Sequence, residues 1–359
     1  MARNQKKSSG FNRESHQDSR CPICCILPPH ILQNVAVNGE AHQRSWAFQT
    51  LNLSAQLRGR RHAIGNIFFA PSPGEKRRTI YDAKTSENLP GTLVRAEGDP
   101  PSSDPAVNEA YDAAGATYDL FHDIFDRKSI DDKGLRLDST VHYGVEYDNA
   151  FWNGDQMVYG DGDGEMFQRF TKSIDVIAHE LTHGITQYEA GLQYYGEPGA
   201  LNESFSDVFG CLVKQRVNNH TAQAADWIIG EGLLAPTVNG VGIRSMKAPG
   251  TAYNDKLLGK DPQPGHMRDK YTGNEDNGGV HINSGIPNHA FYLAAVEIGG
   301  YAWQKAGKIW YIALRDRLRA TADFKRAAQV TMQIAGELYG IASLEQKAVE
   351  NAWKKVGVI

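Results

Sequence analysis

The sequence predicts an α+β fold with a sheet-containing first lobe and a helical second lobe. Short stretches after residue 77 alternate or carry β-branched residues, as strands do: RTIYD, TLVRA and STVHYGVEY. From Asn288 to the C-terminus, four successive stretches keep the apolar spacing of amphipathic helices. Between these regions, residues 173–207 predict two helices joined by the glycine-rich turn GLQYYGEPG.

The chain divides into four parts by composition. Residues 1–20 are rich in Ser, Lys, Arg and Asn, which predicts disorder. Residues 21–70 form a short separate segment, and the stretch APSPGEKRR that begins at residue 70 is typical of an exposed, protease-sensitive linker. We expect the first lobe to comprise residues 77–195 and the helical lobe to comprise residues 196–359.

Composition excludes several classes of function. The 359 residues carry a formal net charge of −4 with both signs interspersed, which gives no basis for binding nucleic acid or a membrane surface. No stretch approaches the roughly 18 consecutive apolar residues of a membrane span. Four cysteines do not make a disulfide scaffold, and the polar N-terminus lacks the apolar core of a secretory signal. We expect a monomer.

Two local features of the first lobe have clear signatures. Asp104 followed by Pro105 predicts the start of a helix, with a capping side chain and then proline at the first helical position. The run GDGDG after FWNGDQMVY predicts a tight hairpin turn, because the later glutamate of an EF-hand calcium loop is absent.

The stretch VIAHELTHGI holds the strongest chemical signal. His179 and His183 are four residues apart, so on a helix they lie on one face and direct two imidazoles at one point, as zinc requires. Glu180 is rotated by about 100° from His179, where it borders the metal and can take a proton from a bound water. The apolar flanks favour a buried metal helix over two surface histidines.

A third zinc ligand is predicted on the following helix. The alternative pattern, with a third histidine six residues after His183, fails because Glu189 stands there. The stretch ALNESFSDVFGCLV begins a new helix and offers Glu203 as the ligand. Asp207 lies one turn further on the same face, suited to accept the outer N–H of a zinc histidine, and Asn202 is a second candidate for such support.

These residues carry a family resemblance. HELTH, followed twenty residues after its second histidine by the glutamate of NESFSD, resembles the thermolysin family of zinc peptidases. Three further blocks agree in order: DNAFWNG, RSM and DNGGVHINSG. The resemblance covers roughly residues 77–359 and implies a thermolysin-like two-lobed metallopeptidase, with a β-rich N-terminal lobe, a helical C-terminal lobe and the zinc helix between them.

The resemblance also implies roles for named side chains. One catalytic Zn²⁺ is held by His179, His183 and Glu203, with Glu180 as general base for the hydrolysis of polypeptides. His281 and Tyr194 would stabilise the oxyanion, and Asp276 would orient His281. Asn149 and Ala150 would align the substrate backbone, and Arg244 would hold a substrate carbonyl. A histidine and a tyrosine suit this role because both can donate a hydrogen bond to a developing alkoxide.

One acidic cluster departs from the family pattern. The family's double-calcium site uses an acid seven residues after the aspartate of NExxxD, where this chain has Lys214. Asp175, Asp226 and Glu231 remain, and an ammonium can neutralise part of such a cluster. We therefore expect one Ca²⁺ at most.

The stretch CPICCILPPHIL at residues 21–32 raises a separate question. Residues 21–60, here called the leader, resemble the short propeptide of the protealysin-like branch of the family. The resemblance implies that ILPPHIL lies near the cleft as an intramolecular inhibitor, and that cleavage around residues 60–78 releases the enzyme. Because proline lacks a backbone donor, a diproline could occupy the cleft uncut. A further hypothesis is that Cys24 or Cys25 approaches the catalytic zinc.

Several alternatives stay open from sequence alone. The chain could be a non-catalytic binding protein on the same fold, although each catalytic position is filled. Residues 21–32 could form a redox or metal module of their own, since Cys21 and Cys24 make a CxxC pair. Family habit favours secretion, whereas the missing signal favours the cytoplasm or a non-standard export route.

Overall fold

The computed structural model describes the backbone of residues 24–64 and 75–359, and the side chains of residues 25–54 and 75–359. The disorder predicted for residues 1–20 therefore lies outside the described residues. No helix within the described ranges has the length and apolar character that crossing a membrane requires.

A mixed sheet of six strands forms the first part of the fold. In spatial order the strands are β1 (Cys24–Cys25), β5 (Ala150–Trp152), β6 (Met157–Tyr159), β4 (Leu137–Val141), β2 (Arg78–Asp82) and β3 (Thr92–Ala96). Strand β5 is antiparallel to both β1 and β6, β4 is parallel to β6 and β2, and β3 is antiparallel to β2. The leader thus supplies an edge strand of a sheet that the rest of the chain builds.

The two faces of this sheet bury different residues. Ala150, Trp152 and Tyr159 belong to the main core, on which the helices pack. Phe151 and Val158 alternate with them and belong to a second, smaller apolar cluster. This period of two is the ordinary consequence of strand geometry, and it decides where each leader side chain points.

Ten α-helices lie within the described ranges of the chain. They are α1 (Pro29–Asn38), α2 (Ala41–Ile64), α3 (Pro105–Phe125), α4 (Ile174–Tyr188), α5 (Gly196–Val217), α6 (Glu275–Asn283), α7 (Gly285–Ile298), α8 (Ala306–Ile312), α9 (Phe324–Tyr339) and α10 (Leu344–Lys355). A π-helical turn, Ala313–Arg317, follows α8, and β7 (Ile228–Ile229), β8 (Arg244–Ser245), β9 (Asn254–Asp255) and β10 (Gly259–Lys260) form two small ribbons. The predicted α+β division into a sheet-containing part and a helical part is confirmed.

Local predictions for the first lobe met different outcomes. Helix α3 starts as predicted, because the Asp104 side chain accepts from the Ala106 N–H at 2.9 Å. The strand expected over STVHYGVEY ends early at Val141, since His142 adopts a left-handed φ of 55°. The prediction of a hairpin at GDGDG was wrong: the turn between β5 and β6 is NGDQ, and GDGDG forms an irregular loop after β6.

Helices α4 and α5 cross closely, and a glycine permits it. A Cβ added at Gly210 would lie 2.6 Å from the Asp175 carbonyl oxygen, a distance that real contacts do not show. Glycine therefore allows the backbone of α5 to rest against that of α4. This approach brings the acidic face of α5 to the two histidines of α4.

The leader is packed into the rest of the fold rather than held apart from it. Its side chains Ile26, Leu27, Ile31, Leu32 and Val35 are buried in the main core. On α2, Ser54 Oγ lies 3.0 Å from the Tyr147 hydroxyl, and the Asp148 N–H donates to Thr50 Oγ1 at 3.4 Å. The leader therefore shares one core with the domain it covers.

Candidate active site

A group of three side chains on α4 and α5 could hold a metal. The ligand atoms of His179, His183 and Glu203 all lie within 4.8 Å of one another, and all three residues are buried. The Nε2 atoms of His179 and His183 are each 3.5 Å from a Glu203 carboxylate oxygen. Glu203 Oε2 has no hydrogen-bond partner among the described residues. Two imidazoles and a buried carboxylate with a spare oxygen fit the ligands and geometry of a zinc site.

The other nitrogen of each histidine is held by a residue of α5. His179 Nδ1 lies 2.8 Å from Asp207 Oδ1, and His183 Nδ1 lies 2.8 Å from Asn202 Oδ1. These bonds favour the tautomers that carry the proton on Nδ1. Both Nε2 atoms, which face the common point, then keep a lone pair for a metal. Both supporting residues were predicted from sequence, and the structure brings them to the histidines.

The Asp207 carboxylate links the metal group to a cation. Arg244 donates to its two oxygens, each bond measuring 2.8 Å. The Asn288 amide adds a third donor at 2.8 Å. Burial raises the pKa of Asp207, but Arg244 and His179 outweigh it and hold this pKa at about 2. Sequence reasoning missed Asn288, which no motif of the chain singles out.

Glu180 lies in the core beside the metal group. Its Oε2 accepts from the Trp152 N–H of β5 at 3.2 Å, and its Oε1 has no hydrogen-bond partner among the described residues. Burial raises the pKa of Glu180 to about 8, so the group is poised to exchange a proton near neutral pH.

His281 and Tyr194 lie together on the other side of the group. The Tyr194 hydroxyl is 3.2 Å from His281 Nε2 and also donates to Glu203. Asp276 fixes the imidazole: its Oδ1 lies 2.6 Å from His281 Nδ1, and its Oδ2 accepts the His281 backbone N–H at 2.8 Å. Burial lowers the pKa of His281, but Asp276 and Glu203 raise it to about 9, which favours a protonated, donating ring.

An unusual backbone places Asp276 within reach of His281. Residues 276–279 all have positive φ, with values of 52°, 51°, 78° and 77°. Two glycines, Gly278 and Gly279, occupy half of this left-handed run, where a Cβ is disfavoured. The DNGG part of DNGGVHINSG therefore supplies the bend that turns the aspartate back onto the histidine.

The leader backbone occupies the cleft beside these groups. Its residues 25–27 contact each of the three residues assigned to substrate alignment. The Ile26 N–H donates to the Ala150 carbonyl at 3.3 Å, Arg244 Nη1 donates to the Ile26 carbonyl at 3.0 Å, and the Leu27 N–H donates to Asn149 Oδ1 at 3.1 Å. The Cys25 carbonyl lies 3.1 Å from His281 Nε2.

The cysteine hypothesis is not supported for Cys25. Its side chain belongs to the smaller apolar cluster with Phe151 and Val158, on the sheet face away from the main core. Among the described side chains, the group that could hold a metal does not include the Cys25 sulfur. Because side chains alternate between the two faces of a strand, the Cys25 thiol points away from the main core. The Cys25 carbonyl, in contrast, contacts His281. The Cys24 side chain and all of Cys21 lie outside the described residues.

The acidic cluster at the start of α4 is centred on an ammonium. Lys214 Nζ lies 2.8 Å from Asp226, 3.1 Å from Asp175 and 3.7 Å from Glu231. It also donates to the Ile228 carbonyl at 2.6 Å. Burial opposes the charge, but Asp175 and Asp226 outweigh it and raise the pKa of Lys214 above its usual value. The structure thus brings the three candidate calcium ligands together around a cation that the chain supplies.

Comparisons with known proteins agree with this geometry. Residues 71–187 match the model of the thermolysin metallopeptidase catalytic domain, and residues 190–358 match that of its alpha-helical domain. An extracellular metalloprotease of Pectobacterium carotovorum subsp. carotovorum is 52% identical over 94% of this chain and 97% of its own length. Protease PrtS of Photorhabdus sp. is 49% identical over 93% and 91%, respectively.

A solved structure is similar over nearly the same extent. The precursor of protealysin, a metalloproteinase from Serratia proteamaculans, superimposes with a TM-score of 0.86 and is 53% identical, covering 94% of this chain and all of that one. The two family models together cover β2 to β6, the helical part and the three residues of the metal group. The chain belongs to the thermolysin family of metallopeptidases, in its protealysin-like branch.

Proposed function

We propose that this chain is a zinc-dependent endopeptidase that is made as a latent precursor. The observation that carries the proposal is the leader backbone in the cleft, held by Asn149, Ala150 and Arg244 with its carbonyl at His281. A peptide held in this way adds an antiparallel strand to β5, which is how a cleft can bind polypeptides of varied sequence.

Each side chain of the site then has a task. His179, His183 and Glu203 hold one zinc ion, and Asp207 and Asn202 keep the two histidines in the required tautomers. Bound zinc supplies Lewis-acid activation of a water molecule and of the substrate carbonyl. Glu180 would take a proton from the attacking water molecule and pass it to the departing nitrogen.

The oxygen that becomes negative during attack needs donors on the opposite side. His281 and Tyr194 supply them, and Asp276 holds the imidazole of His281 in its donating orientation. Because these groups are buried and fixed before reaction, they need little reorganisation as the charge develops. Arg244, anchored by Asp207, holds the carbonyl of the residue after the bond to be cut.

We further propose that residues 21–60 act as the intramolecular inhibitor and that cleavage at 60–78 releases the lobes at 77–195 and 196–359. The cleavage region falls largely outside the described residues. The relative named as an extracellular metalloprotease supports an extracellular site of action. Monomers are proposed, because both lobes and the leader share one core within a single chain.

Replacement of the general base tests the mechanism. The Glu180→Gln precursor is expected to bind one zinc per chain and to lose casein hydrolysis by about 10²–10⁴-fold after trypsin removes the leader, since this is the usual contribution of general-base catalysis. Zinc content by mass spectrometry and casein hydrolysis against the wild-type protein are the measurements. Undiminished hydrolysis by the Glu180→Gln protein would contradict the proposal.

A further inference from the structure

The leader backbone places one particular peptide bond at the catalytic centre. The Cys25 carbonyl oxygen lies 3.1 Å from His281 Nε2, and this nitrogen is itself 3.6 Å from the metal-group carboxylate of Glu203. The next residue, Ile26, is held from both sides, its N–H by Ala150 and its carbonyl by Arg244. These contacts hold the two residues on either side of the Cys25–Ile26 peptide bond.

The prolines do not protect this bond. Leu27 still donates its N–H to Asn149, so the strand keeps the hydrogen bond that a proline there would remove. Pro28 comes after this contact, and Pro29 begins helix α1. The diproline therefore ends the extended segment and directs the chain out of the cleft, two residues beyond the bond at the centre.

The side chains also suit a substrate. Ile26 is fully buried in the main core, so its side chain is enclosed by apolar neighbours. Cys25 lies on the opposite face, among Tyr143, Tyr147 and Phe151. The two residues flanking the bond are thus seated in separate apolar surroundings, as the alternation of an extended peptide requires.

Water has room to reach the bond. A cavity of about 240 Å³ lies between the leader and the catalytic side, and its lining includes Cys25, Tyr194, Asp276 and His281. One water molecule needs only about 10–15 Å³ of such space, so the cavity can hold several. The polar groups in its wall can hydrogen-bond to such molecules.

From these contacts, and resting on the proposed function, we propose that the Cys25–Ile26 bond is a self-cleavage site, cut by the precursor's own active site. The oxygen of one water molecule bonds to the Cys25 carbonyl carbon, and the bond from that carbon to the Ile26 nitrogen breaks. The products are a carboxylate at Cys25 and an ammonium at Ile26. Residues from Ile26 onward keep their contacts with Arg244 and Asn149, so the nicked leader remains a bound inhibitor.

The experiment follows the N-terminus of the zinc-loaded full chain by intact-mass spectrometry. Wild-type precursor is expected to lose residues 1–25 and begin at Ile26, at a first-order rate that is unchanged over a hundredfold dilution. The Glu180→Gln precursor is expected to remain intact. A rate that rises with protein concentration would show cutting between molecules and would overturn the proposal.

Two substitutions at one position separate the register from general proteolysis. Ile26→Leu keeps an apolar side chain and is expected to retain the cut, whereas Ile26→Asp places a charge in the buried pocket and is expected to abolish it. In the Glu180→Gln background, where nothing is cut, Ile26→Asp should lower the unfolding temperature by a few degrees relative to Ile26→Leu. Equal unfolding temperatures would overturn the assigned register without any measurement of activity.

The outcome can be told apart from failure of the proposed function. Trypsin-activated wild-type protein is assayed on casein in parallel. Hydrolysis of casein together with an intact Cys25–Ile26 bond overturns the self-cleavage site and leaves the endopeptidase standing. Absence of both reactions from the zinc-loaded protein overturns the proposed function, and the self-cleavage site with it.

Discussion

Two groups of acidic side chains lie at the helix pair α4 and α5, and they differ in where their positive charge comes from. Around Asp175, at the start of α4, the chain supplies its own cation in Lys214. One to two turns further along α4, Glu203 meets His179 and His183, and no lysine or arginine of the described residues forms an ion pair with it. The first group thus contains a cation supplied by the chain, and the second is the group that could hold a metal.

The comparison shows how the source of positive charge affects the need for a bound metal. A buried carboxylate without a partner is costly, because it loses the solvation of water. For the buried Asp175 carboxylate, the ammonium of Lys214 offsets that cost. Lys214 itself is held by three carboxylates and by the Ile228 carbonyl. At Glu203 burial would raise the pKa, yet His281, His183 and His179 hold it well below its usual value, which keeps the carboxylate charged for a cation.

Replacement of Glu203, the carboxylate of the group that could hold a metal, should have the largest effect. Glu203→Gln takes away the one anionic ligand of the group, so zinc binding and casein hydrolysis are both expected to fall below detection. Zinc content after dialysis and the casein rate of the activated protein provide the measurements. Lys214→Met serves as the matched comparison on the same helix, since it should leave one zinc per chain; retention of zinc by Glu203→Gln would contradict the ligand assignment.

Removal of the built-in cation should have the next largest effect. Lys214→Met leaves Asp175 and Asp226 without their partner, and the free energy of unfolding is expected to fall by about 3 kcal/mol, the usual cost of breaking a buried pair. Added Ca²⁺ should restore part of this loss, because the three carboxylates then lack a cation. Urea denaturation with and without Ca²⁺ measures both effects.

An exposed lysine gives the control for that variant. Lys354 forms a surface pair with Glu350 at 2.6 Å, with 56% of the lysine side chain exposed. Its replacement by methionine should change the free energy of unfolding by about 0.5 kcal/mol or less. Equal losses at Lys214 and Lys354 would mean that the buried cluster contributes nothing particular to stability.

Calcium removal from the unmodified protein should have the smallest effect. Because Lys214 already neutralises part of the cluster, we expect at most one Ca²⁺ and an unfolding temperature that changes by about 1 °C or less on chelation. A calcium-selective chelator with zinc added back is used, and thermal unfolding is followed by circular dichroism. A large fall in unfolding temperature would contradict the replacement of calcium by the ammonium.

Local spacing made the metal group predictable. His179, Glu180 and His183 follow from the geometry of one helix, and Glu203 follows once the chain is expected to turn back through GLQYYGEPG. The start of α3 at Asp104 and Pro105 was equally accessible, because the cap and the proline act within one turn. Chemistry that depends on a few neighbouring residues can be read from a single sequence.

Features that depend on distant partners could not be predicted in this way. The register of β1 is set by its pairing with β5, more than 120 residues further along the chain, so it was open which leader atoms face His281. A shift by one residue would have pointed the Cys25 thiol toward the catalytic side. Asn288 escaped for a similar reason: only the folded chain shows that its amide meets Asp207.

The binding of strand β1 and the residues after it indicates that the active site accepts only extended chain segments. The two residues that follow this strand, Ile26 and Leu27, make three contacts with the cleft through their backbone groups alone. A segment that replaces it must therefore offer free N–H and C=O groups in an extended form, which residues inside a helix or a paired sheet cannot do. Folded proteins would thus be cut at loops and locally opened segments, and the stability of the target would govern its rate of degradation.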